Sequence, residues 1–253
     1  MVLHLKRFLV LTLLCLASVA HADVQRLQAL HELRSEGYTA STYLLIDNNL
    51  FERIREPGNK ETYVTALAEM SRLISQMGNP DDLRTLFANF ETLTSELQDV
   101  SGDEAHYNLA TVNRIMQAHG QFDRLVATRY EQAAEGITDE ILLTLNQQSI
   151  ETSQILTLYQ NNMFSSVGIY FLDNQDGLFD MLDKSITQRA AKLRTLIPEQ
   201  AETFGRLERQ YAFIQPRLQN PLENWVPTIA AFYLQRNIQT LNNLAREQGR
   251  AGR

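Results

Sequence analysis

Apolar residues recur every three or four positions through most of this chain, the spacing of one face of an α-helix. Leu67, Met70, Leu73, Ile74 and Met77 share one such face; Leu83, Leu86, Phe87, Phe90, Leu93, Leu97 and Val100 share another. Gly78-Asn79-Pro80-Asp81-Asp82 separates them and predicts a break and a restart. Thr65 to Val100 therefore reads as a helical hairpin around which the rest is organised. Upstream, the pattern from Val24 runs through Leu27, Leu30, Leu33, Leu44, Leu45, Leu50, Phe51 and Ile54, and Glu56-Pro57-Gly58-Asn59 stops it. Downstream, Ser101 or Asp103 is placed to cap a helix with the stripe Val112, Ile115, Met116, His119, Phe122 and Val126, which Gly136 ends.

Thr138-Asp139-Glu140 reads as the next start, for a stripe at Ile141, Leu145, Ile155, Leu156, Tyr159 and Met163. Residues 165–172 look strand-like but have no evident partner strand, so a continued or kinked helix is expected. Helices then fit 178–197, 199–214 and 222–247, with Pro198, Pro216, Pro221 and Pro227 near their boundaries. The pattern predicts an all-α protein: an antiparallel helical bundle, elongated or made of two stacked four-helix-like halves, residues 23–136 and 137–253.

The two halves echo each other. Tyr43-Leu-Leu-Ile-Asp-Asn resembles Tyr170-Phe-Leu-Asp-Asn, and Leu-Phe follows at Leu50-Phe51 and at Leu178-Phe179. Leu73-Ile74 and then Phe87 to Phe90 parallel Leu196-Ile197 and then Phe204 to Leu207, while Thr111 and Thr228 open similar last helices. A duplication would account for these pairs.

The first 22 residues change the picture of where this bundle works. Lys6 and Arg7, the apolar run Phe8 to Leu16 and the ending Ala20-His21-Ala22 have the three parts of a secretory signal peptide, so cleavage before Asp23 and a periplasmic location are expected. That run is too short to span a bilayer, which predicts no stable membrane insertion after cleavage. Cys15 is the single cysteine and falls in the leader, so the exported part has no disulfide and must rely on packing. The whole chain carries a net charge of −7, and losing Lys6 and Arg7 makes the balance more acidic. Such a balance argues against nucleic acid as a partner.

Glu69-Met-Ser-Arg72-Leu-Ile-Ser75-Gln76-Met77 resembles the Gln-Arg-Met-Leu-Ser-Gln-Arg helix of the periplasmic domain at the N-terminus of type IV pilus chemotaxis transducers. Arg84-Thr-Leu-Phe-Ala-Asn-Phe-Glu-Thr-Leu resembles the helix that follows it in that family. The family's Ala-Gly before the motif and the second arginine after it are absent. The resemblance implies a helical sensor or interaction module in which Arg72, Ser75 and Gln76 contact a ligand. Residues 72 and 76 share a helical face, where the planar fork of Arg72 suits a carboxylate.

Other motifs carry chemistry less directly. His31-Glu32-Leu33-Arg34-Ser35 approaches the zinc-protease helix motif but has Ser35 where the second histidine belongs. Asp173, Asp176, Asp180 and Asp183 suggest calcium, yet the loop spacing is wrong and Lys184 stands where the glutamate would. A haem bundle would use His119 with Met70 or Met163, and a metal site would draw on His31, His106 or His119. Trp225, between Pro221 and Pro227, is a candidate anchor for a partner protein. No Gly-x-Ser-x-Gly elbow, phosphate-binding glycine loop or exported cysteine nucleophile is present.

The expected role is therefore non-catalytic: a periplasmic sensor-like or adaptor module, without cofactor or metal, that binds a small ligand or an envelope or pilus signalling protein. A metal- or haem-binding bundle is the alternative, and a carboxylate-dependent envelope enzyme is a third.

Overall fold

The computed structural model describes residues 2–49, 56–100, 109–162, 164, 167–171, 177–221, 223 and 225–251, with side chains from residue 22 onward. The described residues form eight α-helices and no strand, as the periodicity predicts. They are α1 (Val2–Asp47), α2 (Pro57–Gln76), α3 (Asp81–Asp99), α4 (Leu109–Ala134), α5 (Glu140–Asn161), α6 (Leu178–Leu196), α7 (Ala201–Gln219) and α8 (Pro227–Ala251). A 3₁₀ turn, Pro198–Gln200, leads into α7. The predicted leader is the first part of α1, which runs on unbroken past residue 22.

Local chemistry sets the ends of these helices. Asn79 (φ 52°) and Gly78 (φ 83°) take left-handed backbone between α2 and α3, the conformation glycine and asparagine adopt most cheaply. Asp81 and Asp82 then place negative charge on the first turn of α3. Asp139 caps α5 by accepting a hydrogen bond from the Leu142 N–H at 3.0 Å. Pro57, expected to stop a helix, instead starts one: it occupies the first turn of α2, where its missing N–H is not needed. The 165–172 expectation is also corrected, for the described residues there are irregular. The Gly168 N–H and the Tyr170 hydroxyl both donate to Asn113 Oδ1, at 2.8 and 3.1 Å, and the Tyr170 carbonyl accepts from Arg124 at 2.6 Å, so partners on α4 replace a helical ladder.

Two four-helix rings lie side by side. In the first, α1 packs on α2 and α4 while α3 closes the ring between them; in the second, α5 packs on α6 and α8 while α7 closes it. The rings join through α1, which lies against both α5 and α8. Leu73-Ile74 and Leu196-Ile197 fall at the ends of α2 and α6, and Thr111 and Thr228 near the starts of α4 and α8, so these pairs occupy matching places. Tyr43 and Tyr170 do not match: the first is helical and the second lies in the irregular segment. Leu50, Phe51 and Ile54 lie outside the described residues.

The organising elements are α1 and α5, not the 65–100 hairpin, whose two helices touch each other only lightly. Each central helix has one face in its own ring and another against the second ring, so it is covered nearly all round. Every residue of α5 from Gln148 to Asn161 is buried. A helix so placed must bury whatever residues it carries, polar ones included.

Candidate functional site

The join between the rings is a polar seam. Asn242 on α8 is its hub: its Oδ1 accepts from His31 Nε2 at 2.8 Å and from Ser149 Oγ at 2.6 Å, and its Nδ2 donates to Ser35 Oγ at 2.8 Å. One amide therefore ties α8 to both α1 and α5. Thr42 and Thr157 are hydrogen-bonded across α1 and α5 at 2.7 Å, and Gln235 on α8 donates to Thr39 at 3.1 Å. Buried polar groups matched in this way fix the register of the rings, because slippage would strand each of them without a partner.

A buried ion pair continues the seam into the first ring. Arg34 donates to both oxygens of Asp123, at 2.8 and 3.1 Å, and the Tyr38 hydroxyl donates to the same carboxylate at 2.8 Å while accepting from Gln154 at 3.1 Å. Burial works against the Asp123 charge, but the Arg34 guanidinium outweighs it and holds the carboxyl below its usual range. His119 sits one turn before Asp123, fully buried, with neither ring nitrogen hydrogen-bonded. The rings of Tyr38, Phe90 and Phe171 surround it at centroid distances of 4.9, 5.8 and 6.1 Å. Burial lowers its pKa to about 4, so the imidazole is neutral at pH 7.

The two rings are filled differently. Phe87, Phe90, Phe122, Met70 and Met116 occupy the first, with the rings of Phe87 and Phe122 6.3 Å apart. The second holds a cavity of about 400 Å³. Buried Gln148 and Thr152 of α5 form its floor, and Leu193, Phe204, Leu207 and Leu241 its apolar sides. It opens between α6 and α7, where Ala190, Ala191 and Ala212 leave space that larger side chains would close. Arg194 of α6 and Glu208 of α7, both on its lining, pair across that opening at 3.0 Å. Chambers of roughly 300–1,000 Å³ with few polar groups are the usual form of a small-molecule site.

The residues singled out in the sequence lie elsewhere. Arg72 and Gln76 stand on the wall of an open groove of about 520 Å³ between α1, α2 and α8, together with Glu32, Arg246 and Arg250. Arg72 there is paired with Glu69 one turn before it, and Arg246 with Glu32 at 2.6 Å. Ser75 is exposed and does not line that groove. Trp225 is half-buried, its ring 4.6 Å from that of Tyr159, and the Val226 N–H donates to the Tyr159 hydroxyl. Its indole therefore packs on the core side instead of standing out from the surface.

Of the histidines, the side chains of His31 and His119 are described, and each has its own surroundings. His31 belongs to the seam, and its pKa is lowered to about 4, chiefly by burial. His119 and Met70 do come together: a Cβ built on Gly37 would lie 3.2 Å from His119 Nε2 and 3.6 Å from the Met70 methyl carbon. His106 and Met163 lie outside the described residues, as do Asp173 and Asp176. Asp183 is held by Tyr211 and Gln215 at 2.7 and 2.9 Å. Among the described residues no three His, Cys, Asp or Glu side chains gather as a metal site. No described helix is long and apolar enough to cross a membrane.

Sequence reasoning passed over Gln148, Thr152 and Asn237, which line the chamber. The available signal was the interruption of the α5 stripe between Leu145 and Ile155, a mostly polar run in a segment otherwise patterned as core.

Fold and site together define a class: an all-α bundle of two four-helix rings with a chamber in the second. No protein-family model, curated protein or solved structure matches this chain.

Proposed function

We propose that this chain is a periplasmic, non-catalytic binding module whose small-molecule site is the chamber of the second ring. The observation that carries the reading is the contrast between the rings: one is packed with aromatic and methionine side chains, and the other keeps a cavity of about 400 Å³ with an opening to solvent. Apolar walls would supply affinity and the few polar groups orientation. The leader-like first 22 residues support export. The resemblance of residues 65–100 to the transducer domain supports a sensor or adaptor role, with Arg72 and Gln76 on the groove facing an envelope or pilus signalling partner.

The test is a thermal-shift and ligand-observed NMR screen of small organic compounds against the chain and an Ala190→Trp variant. The indole would fill the chamber's opening. Compounds should stabilise the original protein and lose their effect on the folded variant. Hits that persist unchanged in Ala190→Trp would refute the chamber as the site. The signalling arm is tested separately: capture of a defined transducer periplasmic domain should weaken in Arg72→Ala, and equal capture by both proteins would remove the groove from the proposal.

A further inference from the structure

Resting on the chamber reading, we infer that its ligand is an uncharged, largely apolar molecule bearing hydroxyl or N–H donors, received by the side-chain carbonyls of Gln148 and Asn237. These two residues stand on different helices, α5 and α8, and both line the chamber. Gln148 Nε2 donates to the Ile186 carbonyl at 3.1 Å, and Asn237 Nδ2 donates to the Leu207 carbonyl at 3.1 Å. Each amide is thereby oriented, because a backbone carbonyl only accepts and a reversed amide would set oxygen against oxygen. The ends left over are Gln148 Oε1 and Asn237 Oδ1, and both are buried without a hydrogen-bond partner. Two unpaired acceptors in the wall of one cavity call for donors.

Neither oxygen is exposed on the surface of the chamber. A ligand therefore reaches them only as each amide rotates about its broad terminal torsion, which moves the oxygen and the anchoring N–H together. The charge of the ligand follows from the lining. Its charged side chains are Arg194 and Glu208, and they neutralise each other at the opening. An ionised ligand would enter with no counter-charge, and burying an unpaired ion is strongly unfavourable. An apolar body with donors and no charge satisfies both conditions.

The experiment uses three probes of one shape on the full chain: 4-phenylphenol, its methyl ether and biphenyl-4-carboxylate, with affinities from titration calorimetry. The phenol should bind at least tenfold more tightly than the ether, and the carboxylate more weakly than the phenol. In a Gln148→Leu/Asn237→Leu variant the phenol should lose its advantage while the ether still binds. The probe comparison on the unaltered protein decides the matter even where that variant does not fold. Equal binding of phenol and ether, abolished in Ala190→Trp, would overturn the donor rule and leave the chamber standing. Binding that survives Ala190→Trp, or no saturable binding of any probe, would overturn the chamber reading itself.

Discussion

His119 should make the fold sensitive to acid. It is fully buried among Tyr38, Phe90 and Phe171, and no group accepts or donates a proton at either nitrogen. In the unfolded chain it takes up a proton near its ordinary pKa of 6.5; in the fold that falls to about 4, because burial disfavours the cation and outweighs the attraction of Asp123. The native state therefore binds fewer protons than the unfolded state between these values. Stability is fully present above pH 6.5 and is lost as pH falls towards 4. At about 1.4 kcal/mol per pH unit, acidification from pH 7 to pH 5 removes about 2 kcal/mol through this one ring.

The test is urea denaturation of the unaltered protein and of His119→Phe at both pH values. Phenylalanine keeps an aromatic ring in the site and removes two unpartnered nitrogens, so at pH 7 the variant should be at least as stable. Its loss between pH 7 and pH 5 should be smaller by about 2 kcal/mol, a difference of roughly 1 M in urea midpoint. His31 contributes a similar loss to both proteins and cancels in the comparison. Equal losses in the two proteins would refute the argument.

Glu36 works in the opposite direction. Burial, and then the neighbouring charge of Glu69, raise its pKa to about 7, so stability falls as pH rises from 4.5 through 7; Glu36→Gln should gain up to about 3 kcal/mol at pH 8 and nothing at pH 4 in the same denaturation assay. Asn242→Ala removes the three hydrogen bonds that join α8 to α1 and α5 and should cost about 3 kcal/mol, with faster amide exchange on α8. Gly120→Ala would drive a methyl into the Tyr170 carbonyl and should cost about 1–3 kcal/mol, read as a lower thermal midpoint.

Much of the architecture was legible because amphipathic helices declare a buried face. The stripes of α2, α3 and α4 correctly named Leu73, Phe90, Ile115 and Val126 as core. Breaks were legible where backbone chemistry is strict, as at Gly78-Asn79 and at the Asp139 cap. Pro57 was read the wrong way because proline both ends and begins helices, and only the course of the chain decides which. Residues 165–172 misled for another reason: their apolar composition suits a helix or a strand, and α4 side chains hold the described residues 167–171 in neither.

The centre of the molecule was hidden by the same logic that revealed its edges. A helix at the edge of a bundle alternates buried and exposed faces, so its pattern is easy to read. A helix between two rings has no exposed face, and α5 from Asn146 to Gln154 shows almost no apolar stripe although Gln147 is its single exposed residue. Along the sequence that polarity is only a gap in the stripe between Leu145 and Ile155. The buried setting gives it another meaning: Ser149 and Gln154 bond across the seam to Asn242 and Tyr38, and Gln148 turns the other way into the chamber wall. A polar run inside a helix that all other evidence makes central is thus a sign of function or register, since burying such groups without use would cost stability at every one of them.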